Sequence, residues 1–226
     1  MFHKLKVGAI FIADSHYPHH KKSEFLELLK KIRDKKIKTP QLILMGDIFD
    51  LLVGNSTYLL KKFKNEIALL EDISKSIEVI YLEGNHDFYL KPIFKNIKTI
   101  SIKNQPFIME YQDITYALSH GDKFNMSLKY KIYTTLIRNP LILKILPDYV
   151  AKWQLNKMKS KKICKKIENF SNLAKNIAKN YSSNFIIEGH YHQGLRVDNY
   201  FGLPSFGCST KVAIFNGKEL EFRVLF

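Results

Sequence analysis

Short apolar blocks alternate with stretches of helical periodicity through the first third of the chain. Residues 5–12 form a nearly unbroken apolar run, which predicts a buried strand. Phe25, Leu28, Leu29 and Ile32 follow at helical spacing, with Ser23 as the expected N-cap. Residues 41–45 predict a second strand. Leu59, Leu60, Phe63, Ile67, Leu70 and Ile73 predict one long helix, and residues 77–82 a third strand. This alternation points to an α/β fold whose parallel strands are joined by crossover helices.

The pattern then changes. Residues 106–111 and 115–119 are strand-like with a short polar connection, so a hairpin is expected. From Phe124 to Asn180 the chain reads as helical. Leu128, Ile132, Leu136 and Ile137 come first, then Ile142, Ile145 and Leu146, then Ile163, Ile167, Phe170, Leu173 and Ile177. Pro140 and Pro147 divide it. Strands return at 184–187, 195–197, 211–215 and 219–225, the last two flanking the hairpin signal Asn216-Gly217. No repeat or low-complexity linker interrupts the 226 residues, so a single domain is expected, with residues 123–180 inserted within it.

Charge sharpens this picture. The formal net charge is +15, and residues 123–180 carry fourteen Lys or Arg against two Asp or Glu. So clustered an excess implies an anionic partner: nucleic acid, an acidic membrane or a phosphate-rich substrate. The two cysteines, Cys164 and Cys208, fall in regions that read as helix and loop. They imply neither a disulfide framework nor a thiolate metal cluster, and a reducing compartment is expected. The apolar run near the N-terminus ends in Asp14, which reads better as a first strand than as a secretory leader. No run approaches the roughly 18 apolar residues of a membrane span.

The chemistry lies where the strands stop. After residues 5–12 comes Asp14-Ser-His16. After 41–45 comes Gly46-Asp47-Ile-Phe-Asp50, after 77–82 Gly84-Asn85-His86-Asp87, after 115–119 His120-Gly121-Asp122, and after 184–187 Gly189-His190-Tyr-His192. Carboxyl ends of strands converge in α/β sheets, so these residues should meet although they span most of the chain. Oxygen and imidazole donors without cysteine suit Mn²⁺, Fe or Zn²⁺, and a carboxylate can bridge two such ions about 3.5–4 Å apart. Glycines beside them let the backbone turn sharply. A turn made by Gly84, Asn85 and Asp87 is the plainer reading of that one segment.

In order and content these motifs resemble the calcineurin-like metallophosphoesterases. The resemblance implies a β-sandwich of two mixed sheets flanked by helices, with a helical lid insertion, and two divalent metal ions: Mn²⁺ first, with Fe, Zn²⁺ or Mg²⁺ as alternatives. It implies that Asp14, His16, Asp47 and His192 hold one ion. Asp47, Asn85, His120 and His190 would hold the other, with Asp47 bridging. His86 would stand over the phosphate as the acid or charge-stabilising group, oriented by Asp50. Asp87 and Asp122 are expected to cap or orient, and His3, His19 and His20 to lie on the surface.

The insertion sets aliphatic Leu136, Ile137, Leu141, Ile142, Leu143, Ile145, Leu146 and Val150, with Trp153, beside Lys152, Lys157, Lys159, Lys161, Lys162, Lys165 and Lys166. An apolar face beside a basic one suits an anionic lipid interface, although some of the aliphatics must dock the insertion on the core. The chain is most similar here to the UDP-2,3-diacylglucosamine pyrophosphatases of lipid A synthesis. That likeness rests on His120-Gly121-Asp122, Arg138-Asn139-Pro140, Leu146-Pro147 and Met158-Lys159-Ser160-Lys161. One position departs from it, because His86 stands where that subfamily has Arg. The resemblance implies a nucleotide-linked glycolipid as substrate, met by Asn85, Lys159 and Lys161, and a cytoplasmic protein peripheral to the inner membrane face, with no obligate protein partner. A nuclease or nucleotide phosphodiesterase gripping nucleic acid is the alternative, less favoured because Trp153 is the only Trp available for stacking. A non-enzymatic membrane or partner-binding module is the third.

Overall fold

The computed structural model describes residues 2–124, 128–137, 139 and 148–225. Two six-stranded mixed sheets pack face to face. The first has the order β1-β8-β9-β10-β12-β11: His3–Lys4, Phe107–Tyr111, Ile114–Ser119, Phe185–Glu188, Tyr200–Pro204 and Gln193–Val197. The second runs β14-β13-β2-β3-β5-β7: Leu220–Val224, Lys211–Phe215, Ile10–Ile12, Gln41–Leu44, Glu78–Leu82 and Lys98–Ile100. A small parallel pair, β4 (Leu52–Val53) and β6 (Asp87–Phe88), sits apart from both.

Strand alternation builds the layers. In β2, β3 and β5, Phe11, Ile43 and Ile80 point into the core between the sheets, where they join Met109, Leu118, Ile187 and Phe201. Their neighbours Ile10, Ile12, Leu42, Leu44, Val79 and Tyr81 face the other way, onto helices α1 (Lys22–Arg33), α2 (Thr57–Lys62) and α3 (Lys64–Ser74). The first sheet's outer face is covered by Phe170, Ala174 and Ile177 of α6 (Phe170–Ala178). Both faces of the central strands are therefore buried, which is why they read as continuous apolar runs.

Several expectations change. The strand expected at 5–12 is shorter, only Ile10–Ile12 of it being strand, in the second sheet, while β1 precedes it in the first. Gly8, at φ +87°, turns the chain so that β1 pairs with β8 and β2 with β3. The long helix expected at 59–73 breaks at Phe63, whose ring is buried against Phe49 and Tyr17 at centroid distances of 5.0 and 6.0 Å. Ser23 does not cap α1. Lys21 holds the N-cap position in a left-handed conformation, and the Ser23 hydroxyl bonds Glu24 instead. β12 falls outside the expected strands, since Gly202 and Pro204 interrupt its pattern, yet it is paired on both sides, with β10 and β11.

Within the insertion, α4 (Leu128–Ile137) and α5 (Asp148–Met158) are helical, but residues 159–169 are not. Five lysines in that stretch repel one another at helical spacing, and the segment runs as an irregular strap. Residues 141–147, Arg138 and Pro140 lie outside the described residues. Leu155 is buried in the core beneath the helices, so part of the insertion's apolar content does dock it. Cys164 and Cys208 form a disulfide, contrary to the expectation of free thiols; Cys164 lies on the strap rather than in a helix, and Cys208 on the short helix α7 (Phe206–Ser209).

Candidate metal centre

Strands from both sheets end at one seam, where Ala13 and Ser205 form an isolated parallel bridge. Asp14 and His16 follow β2, Asp47 follows β3, and Asn85 and His86 follow β5. His120 follows β9, and His190 and His192 follow β10. Asp14, His16, Asp47, His190 and His192 all adopt positive φ, between 48° and 61°. Non-glycine residues avoid that region, and such strain persists only where the surroundings over-determine it. The backbone is bent five times to turn these side chains inward. Gly84 makes room for them, since a β-carbon there would lie 2.3 Å from Asp47 Oδ1.

Two groups form, Asp14–His16–His192 and Asp47–His120–His190, each with ligand atoms within 4.8 Å of one another, and His16, Asp47 and His86 form a third that links them. The hydrogen bonds fix which nitrogens face inward. His120 Nδ1 donates to the Met45 carbonyl at 2.9 Å, and His192 Nδ1 to the Ile163 carbonyl at 2.8 Å. Carbonyls only accept, so each Nε2 is left facing the centre, with a lone pair when the ring is neutral and a proton when it is charged. His192 Nε2 then faces Asp14 Oδ1 at 3.3 Å, and His120 Nε2 faces Asp47 Oδ1 at 3.6 Å. With neutral rings these are pairs of acceptors, which repel unless a cation lies between them. Neither ring nitrogen of His16 has a hydrogen-bond partner although the residue is buried, and Asp14 Oδ1 is likewise unpartnered. The donor set fits hard or borderline divalent cations. Backbone carbonyls behind ligating imidazoles are the usual means of fixing their tautomer.

The electrostatics agree. Burial alone would push Asp47 up, but the imidazoles of His120, His86 and His16 outweigh it and hold its carboxyl well below the ordinary value. Burial opposes a charge on His120, yet Asp47 overrides it and raises that imidazole well above its ordinary value. Burial and then the charge of His120 push His190 down to about 4. The centre therefore calls for positive charge beside its carboxylates.

Asn85 Oδ1 lies 3.2 Å from His120 Nε2, among the same groups. His86 Nδ1 donates at 2.9 Å to the backbone carbonyl of Asp50, so Asp50 orients it through the main chain. The Asp50 carboxylate serves another ring, accepting from His19 Nδ1 at 2.5 Å, while its second oxygen lies 3.4 Å from His16 Nδ1 without bonding it. His19 is thus not a bare surface residue, nor is His20, whose ring lies edge-on to His16. His3 pairs with Glu78 at the sheet margin. Lys161 reaches the site, its ammonium donating to His86 Nε2 at 3.1 Å. Lys159 is exposed and has no contact with the site among the described residues.

Asp87 proves to be the organiser. Its carboxylate accepts from the backbone N–H of Asp47 (2.8 Å), Ile48 (2.6 Å) and Gly84 (2.9 Å), and from the Tyr81 hydroxyl (2.6 Å). It ties the Asp47 turn to the Asn85–His86 turn. Its place directly after His86 was the available signal. Asp122 is buried.

Two mixed sheets with Asp, Asn and His gathered at their shared strand ends define a metal-dependent phosphoester hydrolase. The chain belongs to the calcineurin-like phosphoesterase family, whose model matches residues 9–194. The family implies a dinuclear divalent metal site, and the candidate ligand clusters lie inside the matched region. Among curated relatives, "UDP-2,3-diacylglucosamine hydrolase" of Coxiella burnetii (strain Dugway 5J108-111) is 23% identical over 61% of this chain and 56% of its own. The protein of that name from Marinobacter nauticus is 23% identical over 61% and 57%. The matched segments thus span little more than half of these relatives. A solved structure of Yfce, a phosphoesterase from E. coli, covers 97% of this chain and all of its own at 13% identity and a TM-score of 0.46.

Proposed function

We propose that this chain hydrolyses the pyrophosphate bond of UDP-2,3-diacylglucosamine, releasing UMP and a lipid monophosphate. The observation that carries hydrolysis is the inward-facing pair of acceptor clusters. In this reading Asp14, His16, Asp47 and His192 hold one divalent ion, and Asp47, Asn85, His120 and His190 the other, Mn²⁺ being the first candidate. Bound there, the ions supply a nucleophile at neutral pH and neutralise charge on the reacting phosphate. His86 is fixed by the Asp50 carbonyl with Lys161 beside it, and in this reading these two and Asn85 would meet that phosphate.

The lipid part rests on the insertion and on the names of the relatives. Tyr149 and Trp153 are 72% and 62% exposed on α5, with Lys152 and Lys157 on the same helix. Such a face suits acyl chains or an anionic bilayer, with the protein peripheral to the inner membrane. Among the described residues no helix is long and apolar enough to cross a membrane. A second reading keeps the reaction and changes the substrate to another anionic phosphoester. His86, where the pyrophosphatase subfamily has Arg, favours it.

A hydrolysis assay with Mn²⁺ separates them, offering UDP-2,3-diacylglucosamine, UDP-N-acetylglucosamine and single-stranded DNA, with Asp47→Ala as blank. UMP release from the acylated substrate alone is expected. Equal turnover of the unacylated compound, or DNA cleavage, would sink the lipid reading.

A further inference from the structure

The strap between α5 and α6 supplies three contacts at or beside the centre. Lys161 Nζ meets His86 Nε2 at 3.1 Å, and the Ile163 carbonyl holds His192 Nδ1 at 2.8 Å. Gln193, next to His192, takes the Ile167 N–H and donates to the Lys165 carbonyl, both at 3.0 Å. Yet the strap has no regular structure of its own, and its five lysines repel one another. Its covalent tie is Cys164, joined to Cys208 on α7, beside the buried Ile163. That helix is itself bound to the centre's first turn. Gly207 N–H bonds the Asp14 carbonyl at 3.1 Å, and Ser205 Oγ bonds it at 2.7 Å. Ile163 packs so closely on Gly207 that a β-carbon there would lie 3.1 Å from its Cδ1. Cys164 is exposed and Cys208 half-buried, so a reductant can reach the bond.

We propose that the Cys164–Cys208 disulfide is a redox-operated clamp that holds Lys161 and the His192 acceptor at the centre. A dithiol reductant attacks one sulfur through its thiolate and resolves the mixed disulfide with its second thiol. Two electrons and two protons pass to Cys164 and Cys208, and the reductant leaves as a disulfide. The freed, like-charged strap then withdraws Lys161 from the phosphate position. An exposed disulfide of this kind is the labile, regulatory sort. The part concerning Lys161 and substrate rests on the proposed hydrolase reading.

The test compares the full-length protein with Cys164→Ser and Lys161→Ala, each with and without dithiothreitol. Hydrogen exchange over residues 160–168 is read without substrate. KM and kcat are read with Mn²⁺ and bis(p-nitrophenyl) phosphate. Reduction of the wild type should speed exchange across the strap and raise KM about tenfold, toward the Lys161→Ala value, the loss expected for one charge-assisted contact. Cys164→Ser should show the reduced parameters under both conditions. Unchanged strap exchange on reduction overturns the clamp. So does an equal response of wild type and Cys164→Ser to the dithiol, which would trace the effect to chelated metal. If the oxidised protein hydrolyses nothing, the hydrolase reading fails, and strap exchange still decides the clamp.

Discussion

The strand-end centre and the insertion that overhangs it are held by different means. The centre is fixed by several means: by a bent backbone at five of its residues, by carbonyls behind the imidazoles of His86, His120 and His192, and by Asp87 beneath two of the turns. Within the insertion, α6 packs on the first sheet through Phe170, Ala174 and Ile177, whereas among the described residues α5 and the strap are held at fewer places. Asp148 accepts from Ser56 at 2.8 Å, from the Tyr58 N–H at 3.1 Å and from Thr57; Leu155 is buried; and one disulfide fastens the strap. Rigidity is concentrated where ions must be placed, and looseness where a substrate must enter. That division fits a site built on rigid elements and served by an adjustable cover.

The contrast breaks most sharply at Asp47. Asp47→Ala should lower kcat with Mn²⁺ by about 10³-fold or more, because the Asp47–His120–His190 and His16–Asp47–His86 groups lose their common carboxylate. A loss under tenfold would mean that the centre does not depend on it. Asp87→Ala strands buried N–H groups of Asp47, Ile48 and Gly84, and should cost about 3–5 kcal/mol in urea denaturation. A cost below about 1 kcal/mol would show that the turns are held by other means. Asp148→Ala should cost only about 1 kcal/mol, with faster exchange confined to α5. Uniform destabilisation would make the insertion part of the rigid core. Trp153→Ala, at an exposed site, should change stability by less than about 0.5 kcal/mol while weakening sedimentation with anionic phospholipid vesicles. Unaltered sedimentation would leave α5 without a membrane role.

The same contrast governs what was legible beforehand. Strands β2, β3 and β5 were readable because burial on both faces makes each a plain apolar run, and the polar residues after them stood out against it. That strand ends converge made it readable that these polar residues would meet, whereas their division into two sets of metal ligands came only from the family resemblance. Features set by tertiary contact were not readable. Phe63 breaks its helix to reach Phe49, and β12 tolerates Gly202 and Pro204 because neighbours on both sides hold it. Nothing local marks Asp50 as acting on His86 through its carbonyl, or His19 as the partner of its carboxylate. The strap lacks helical geometry because its charge outweighs its sparse apolar period. A pairing of two cysteines 44 residues apart has no local signature at all.

The Asp14 carboxylate accepts the backbone N–H of His190 across 176 positions of sequence. A chain emerging from a ribosome makes Asp14 long before His190 and His192. The centre therefore cannot be assembled until both ends of that contact have been made, and contacts so distant in sequence are the kind that form slowly. A chain cut short before His190 lacks two of the side chains gathered there.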